Sequence, residues 1–327
     1  MRLLWLALTD SGPSQNILNI LQPSDHLAPL QPVTRRLSLA TVLLKSWLLY
    51  LLTTVRCALY GALWSISGRW GWRIHTTVAH LPFGLVLKST RASHGDGDAL
   101  RMLDTLRVNS VNAPILIDSV HDGHVAHALS TYVDGEWCPA VHDLSRQDKE
   151  RLVGDVRNQF ASLYSQTHTT IVDHPICTIS YTTVVDPRVS WVSERGLQLR
   201  SNEEFFRQVW LGIDFEKNQH TVRPRIEPVI IAARVERIVF CHGDLAERNL
   251  IFPGGLSAWR QGRSRVCLID WEFAGWMPEP WDALKATISE CEADNEWTRM
   301  VRAIFPRAGQ FLDADWIWRA EAGMGII

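Results

Sequence analysis

Two short apolar runs limit this chain more than any other feature. Leu250-Ile251-Phe252 follows Asn249, within CHGDLAERNLIF at 241–252, and Val266-Cys267-Leu268-Ile269 precedes Asp270, within VCLIDWEF at 266–273. Apolar runs of this length, bounded by turn residues, read as strands. If the two pair antiparallel, the start of one meets the end of the other. Asn249 and Asp270 then project from the same end of a hairpin, an arrangement that any fold for this chain must accommodate.

The rest of the chain divides around that hairpin. Residues 1–36 carry Pro, Ser and Gln with weak periodicity and read as a lead-in. Residues 37–66 form an apolar helical block, and SGRWGW at 67–72 is a turn. Strands are expected at Thr76–Leu81 and Leu85–Lys88, joined by Pro82-Phe83-Gly84, and again at Ile115–Val120 and Val125–Tyr132. Between the two pairs, ALRMLDTLRV has helical spacing. The lobe boundary is placed at VDGEW, 133–137. Beyond it Ser145, with Asp148 three residues later, announces a helix whose apolar face is Val153, Val156, Phe160 and Leu163. Residues 172–200 lack a pattern, helices are expected at Asn202–Leu211 and Pro224–Val235, and the chain is helical again from Trp281. Strands with one helix, then helices with an embedded hairpin, make an α+β chain in two lobes.

Composition closes off several classes. The 327 residues are 46% hydrophobic and 21% charged, which is globular rather than disordered. A net charge of −2 without a basic run leaves no footprint for nucleic acid. The six cysteines are scattered with no CxxC, so free thiols and a cytoplasmic location are expected. Lys45 and Arg56 interrupt the 37–66 block, and no uncharged run reaches the roughly 18 residues of a span. Helices covering a lobe are therefore preferred there to membrane contact.

The hairpin end has a chemistry of its own. An amide oxygen beside a carboxylate suits Mg²⁺, which keeps waters and phosphate oxygens as its other ligands. Asp244 lies five residues before Asn249, in the loop leading to that end. It can face the same space without being a ligand, and a free carboxylate there can accept the proton of an attacking hydroxyl. This is the division of labour in kinase-type phosphoryl transfer.

HGDLAERNLIF followed by IDWEFAGWMPE resembles the aminoglycoside phosphotransferase/choline kinase-like family, in the form common in fungal proteins. LPFGLVLK at 81–88, NAPILID at 112–118, STYVDGEW at 130–137 and PEPWDALKA at 278–286 extend the resemblance from about residue 75 to the C-terminus. It implies a protein-kinase-like fold: a small N-lobe of antiparallel sheet plus helix, residues 73–134, and a larger, mainly helical C-lobe, residues 135–327, after an N-terminal segment 1–72. It also implies transfer of the γ-phosphate of ATP, with Mg²⁺, to a hydroxyl of a small molecule. Asp244 is then the catalytic base and His242 orients the catalytic loop. Asn249 and Asp270 hold Mg²⁺, and Lys88 contacts the α- and β-phosphates. The hinge backbone near Ser130–Tyr132 meets the adenine, and Trp271 packs between the lobes.

Three departures from the family pattern bear on activity. The acid that pairs with Lys88 is expected to be Asp96, with Asp98 as the alternative, in place of the usual helix glutamate. No GxGxxG precedes Lys88; Gly68-Arg69-Trp70-Gly71 falls where a phosphate loop would be. The first strand of the usual N-lobe sheet is not evident. These departures motivate the alternative of a kinase-like binding or regulatory module with weak or no activity. A protein kinase is disfavoured, because no APE segment follows Asp270. Other polar residues are given structural roles: His121, His124 and His127 alternate between faces, Glu272 points away from Asp270, and Asp282 supports a loop.

Overall fold

The computed structural model describes residues 30, 37–91, 95–106, 110–167, 176–179, 183–184, 186–190, 199–212 and 219–322. The apolar block forms two helices, α1 (Leu39–Leu49) and α2 (Thr53–Arg69), with Ser38 capping the first through the Thr41 N–H at 3.1 Å. Four strands follow: β1 (Val78–Leu81), β2 (Leu85–Arg91), then, after helix α3 (Asp96–Thr105), β3 (Leu116–His121) and β4 (Val125–Thr131). They form one antiparallel sheet in the order β1-β2-β4-β3.

Strand alternation gives this sheet two chemically different faces. Ala79, Leu87, Ile117 and Leu129 pack beneath α1 and α2 with Leu48 and Tyr60. Lys88 and Ala128, paired across β2 and β4, lie on the face of α3. Gly97 permits that approach, since a Cβ there would lie 2.3 Å from Ser119 Oγ. The apolar block is thus a cover for a sheet, and among the described residues no helix is long and apolar enough to cross a membrane.

After this sheet come β5 (Gly135–Trp137) and the long helix α4 (Arg146–Thr167). Ser145 and Asp148 cap each other there: Asp148 N–H donates to Ser145 Oγ at 3.1 Å, and Ser145 Oγ–H to Asp148 Oδ2 at 2.6 Å. Next come β6 (Cys177–Thr178), α5 (Pro187–Ser190), α6 (Asn202–Leu211), α7 (Gln219–Ala232) and β7 (Ile238–Cys241). The chain ends with β8 (Leu250–Pro253), α8 (Gly255–Arg260), β9 (Cys267–Leu268), β10 (Gly275–Pro278), α9 (Trp281–Ala286), α10 (Glu296–Ile304) and α11 (Gly309–Ala322). Small sheets β5-β8-β9 and β6-β10-β7 sit among these helices. Much of the tryptophan content is core here, with Trp210, Trp259, Trp271 and Trp281 fully buried. The whole is a protein-kinase-like α+β fold in two lobes.

Several expected boundaries move. The helix predicted over ALRMLDTLRV starts earlier, at Asp96, because Asp96 and Asp98 complement the positive end of its dipole. Gly68 and Arg69 close α2 and form no phosphate loop. The missing first strand is reduced to one bridge, Arg73 to Ala79, followed by the turn His75-Thr76-Thr77. Helix α7 runs through Pro224 and Pro228 and ends before Val235, which lies in a 3₁₀ turn. Most of 172–200 lies outside the described residues.

Candidate active site

The hairpin is present in the predicted register. Leu250 pairs with Leu268 and Ile251 with Cys267, and Ile269 N–H donates to the Asn249 carbonyl at 3.0 Å. Asn249 ends a 3₁₀ turn at the start of β8, and Asp270 follows β9 in a left-handed conformation, φ +66°. That conformation breaks the strand period. Glu272, expected to point away, instead comes within 3.0 Å of Lys88 Nζ.

The loop before the hairpin is fixed from below. Asp282, fully buried at the start of α9, accepts the N–H groups of His242 (3.2 Å) and Gly243 (2.8 Å) and the hydroxyl of Tyr164 (2.7 Å). Burial raises its pKa, and the Gly243 and His242 contacts with the Tyr164 bond oppose the rise. His242 Nδ1 accepts the Asp244 N–H at 3.1 Å, so the ring's proton is on Nε2, 3.0 Å from the Ile269 carbonyl. The ring therefore ties the loop to the end of β9. Gly243 is required between them: its φ is +78°, and a Cβ would lie 2.2 Å from the Phe273 carbonyl oxygen.

Asp244 and Asn249 meet directly. Asn249 Nδ2 donates to the Asp244 carbonyl at 2.7 Å and to Asp244 Oδ2 at 3.0 Å. With its NH₂ group so committed, the Asn249 amide oxygen has no hydrogen-bond donor among the described residues. Arg248, which sequence reasoning passed over, reaches both Asp244 oxygens at 3.3 Å. Its position four residues after Asp244 was the available signal.

Lys88 crosses from the sheet to the hairpin. Its ammonium donates to Asp270 Oδ1 and lies 3.6 Å from Asp96 and 3.0 Å from Glu272. Burial alone would lower its pKa, but Asp96, then Asp270 and Glu272, outweigh that and hold it above the usual lysine value. Asp96 is thus the nearest helix acid, as expected, while Asp98 pairs with Arg101 at 3.0 Å. Asp96 also accepts the Trp271 N–H at 2.8 Å. Trp271 is fully buried, its ring centroid 4.4 Å from that of His242. Asp270 Oδ2 has no partner among the described residues.

The backbone of the expected hinge is partly engaged in the sheet. Ser130 lies in β4, an interior strand whose backbone serves both neighbours. Tyr132 N–H donates to the Gly84 carbonyl at 2.8 Å, and its ring stacks on His80 at 4.1 Å. The Tyr132 carbonyl and the Val133 N–H are the first hinge groups without a partner among the described residues. The three histidines also separate: His121 and His124 are exposed at the β3–β4 turn and His127 is buried beside Tyr60. Among the described residues no cluster of three or more His, Cys, Asp or Glu side chains could hold a metal.

A lysine anchored to a hairpin aspartate thus stands near a loop that carries a second aspartate and an asparagine. The chain belongs to the phosphotransferase enzyme family, whose model matches residues 72–318. Among solved structures it is similar to a thermostable mutant of the aminoglycoside phosphotransferase APH(4)-Ia, at 14% identity, covering 74% of this chain and 79% of that one, TM-score 0.46. It is similar also to aminoglycoside phosphotransferase APH(3'')-Id from Streptomyces rimosus, solved with ADP and streptomycin, at 15% identity, 78% and 93% coverage, TM-score 0.46. A third is a choline/ethanolamine kinase family protein from Mesorhizobium loti, at 14% identity, 76% and 78% coverage, TM-score 0.42. No curated protein sequence matches the chain.

Proposed function

We propose that the protein transfers the γ-phosphate of ATP to a hydroxyl of a small molecule, with Mg²⁺ as cofactor. The observation that supports this reading is the hairpin pairing, which opposes Asn249 to Ile269, the residue before Asp270, while Asn249 holds Asp244 by two hydrogen bonds. The residues fit the metal: the Asn249 amide oxygen and Asp270 Oδ2 are both uncommitted hard oxygen donors. When bound, Mg²⁺ supplies neutralisation of charge on the phosphates.

The chain's own groups do the rest. Asp244 aligns the acceptor hydroxyl and takes its proton. His242, bonded between the Asp244 N–H and the Ile269 carbonyl, keeps the loop in place. Lys88 leaves Asp270 for the α- and β-phosphates, retaining Asp96 and Glu272 as counter-charges. The adenine edge meets the Tyr132 carbonyl and the Val133 N–H. Catalysis is then mainly placement and electrostatics. We assign residues 73–134 to the nucleotide and 135–327 to the metal and acceptor. A cytoplasmic location is supported by six free cysteines.

The test is ATP consumption by the purified protein against a panel of aminoglycosides, amino alcohols and sugars. Asp244→Ala is expected to lower turnover by about 10²–10⁴-fold, the usual contribution of a positioned base, with MgATP binding kept. Near-normal turnover would remove Asp244 from the role of base. MgATP binding without turnover on any acceptor would favour a binding module, a reading that the shortened sheet and the glycine-free His75-Thr76-Thr77 turn would then explain.

A further inference from the structure

Behind the catalytic loop the C-lobe contains a cavity of about 290 Å³. Its floor is aromatic: Phe160 and Tyr164 from α4 and Phe305 after α10, with ring centroids 5.0 to 6.4 Å apart. Its rim is cationic, carrying Arg157, Arg237 and Arg307 against one carboxylate, Glu279. Glu279 is already taken by Arg237 at 2.7 Å, and Arg307 stands 3.8 Å from it. Glu236, just outside the lining, also feels Arg307.

Arg157 is different. Among the described residues its guanidinium meets no carboxylate: Nε and one terminal nitrogen both donate to the Ala303 carbonyl in the last turn of α10, at 2.7 Å for Nε. A helix end offers about half a negative charge, which leaves net positive charge beside an apolar hollow. Burial lowers the Arg157 pKa and no neighbouring acid offsets it. A guanidinium never gives up its proton in such a place, so it favours an anion. The hollow is near the lower end of ligand-pocket sizes, large enough for one bicyclic ring.

We propose that this cavity is a second small-molecule site, distinct from the ATP cleft, that takes an aromatic carboxylate: ring on Phe160, Tyr164 and Phe305, carboxylate on Arg157. The site lies two hydrogen bonds from the catalytic loop, since the Tyr164 hydroxyl donates to Asp282, which holds Gly243.

The experiment is calorimetric titration of the full-length protein with indole-3-acetate and with its uncharged counterpart indole-3-ethanol, without and with saturating MgATP. The acid is expected to bind at least about tenfold more tightly than the alcohol, as a charge-assisted contact to arginine implies. Arg157→Met should remove that preference. Ala161→Trp, which fills the mouth from an exposed helix position and leaves the α10 cap intact, should weaken both ligands. Affinity for the acid should survive MgATP. Absence of saturable binding, binding indifferent to both substitutions, or displacement by MgATP would each overturn the proposal.

Discussion

Gly243 shows how narrowly the loop from His242 to Asn249 is specified. Its left-handed backbone and its approach to Phe273 leave no room for a side chain. Gly243→Ala must adopt a conformation that costs an L-residue about 1–2 kcal/mol, and must also displace the segment after Asp270. We expect a lower melting temperature and a larger loss of turnover than of MgATP affinity, read by thermal denaturation and steady-state kinetics; equal turnover would mean that the loop tolerates the shift. Asp282→Asn tests the same loop from beneath. An amide keeps one acceptor oxygen where the carboxylate offers two to three donors, so one buried donor loses its partner. Such a loss costs about 1–3 kcal/mol, measurable by urea denaturation. Unchanged stability would show that Asp282 is not what holds His242 and Gly243. The hairpin that carries Asn249 and Asp270 was legible because antiparallel pairing needs only two apolar runs and their flanks. Glu272 was not legible: its position depends on the left-handed Asp270, and nothing in VCLIDWEF announces a positive φ in an aspartate.

At the level of elements, the start of α4 was readable to the residue because capping is local chemistry. Ser145 and Asp148 satisfy each other's groups, and Arg260 adds two bonds to Asp148 at 2.9 and 2.7 Å. Burial would raise the Asp148 pKa, but the bonds from Arg260 and Ser145 bring it below the ordinary carboxylate value. A folded pKa below the unfolded one means stability that is present above the unfolded value, about 3.9, and is lost as pH falls through the folded value. Asp148→Asn should therefore destabilise the protein at pH 7 and progressively cease to do so as pH falls through the folded value, as compared by urea denaturation from pH 7 downward; a pH-independent difference would refute the linkage. Ser145→Ala should cost about 1 kcal/mol. By contrast β9 shrank to two residues and β1 to four, since strand length depends on partners that sequence does not display.

The whole molecule turns on how α1 and α2 are joined to the sheet, for they replace a first strand with a helical lid. Composition showed an apolar block too interrupted to span a membrane and suited to cover a lobe, but gave no sign of which sheet face it would meet. The junction is polar. Asp118, buried on β3 beside an irregular register, accepts Arg56 at 2.5 Å and the Tyr60 hydroxyl at 2.7 Å. The Arg56 and Asp118 side chains are 15% and 4% exposed. Asp118 raises the Tyr60 pKa further than burial alone does, so the phenol stays a donor. A charge so enclosed is tolerated only with its partner. Arg56→Met leaves Asp118 uncompensated, and breaking a buried pair costs about 3–5 kcal/mol. Arg56→Met with Asp118→Leu removes both charges and should recover much of that loss, because a matched apolar pair avoids desolvation altogether. Chemical denaturation of the wild type, the two single variants and the double variant measures this coupling. Additive effects would mean that α2 is held by its apolar face alone. Strong coupling would identify Asp118 as the residue that fixes the helical lid in one register on the sheet, and through β3 and β4 fixes the strand facing Lys88.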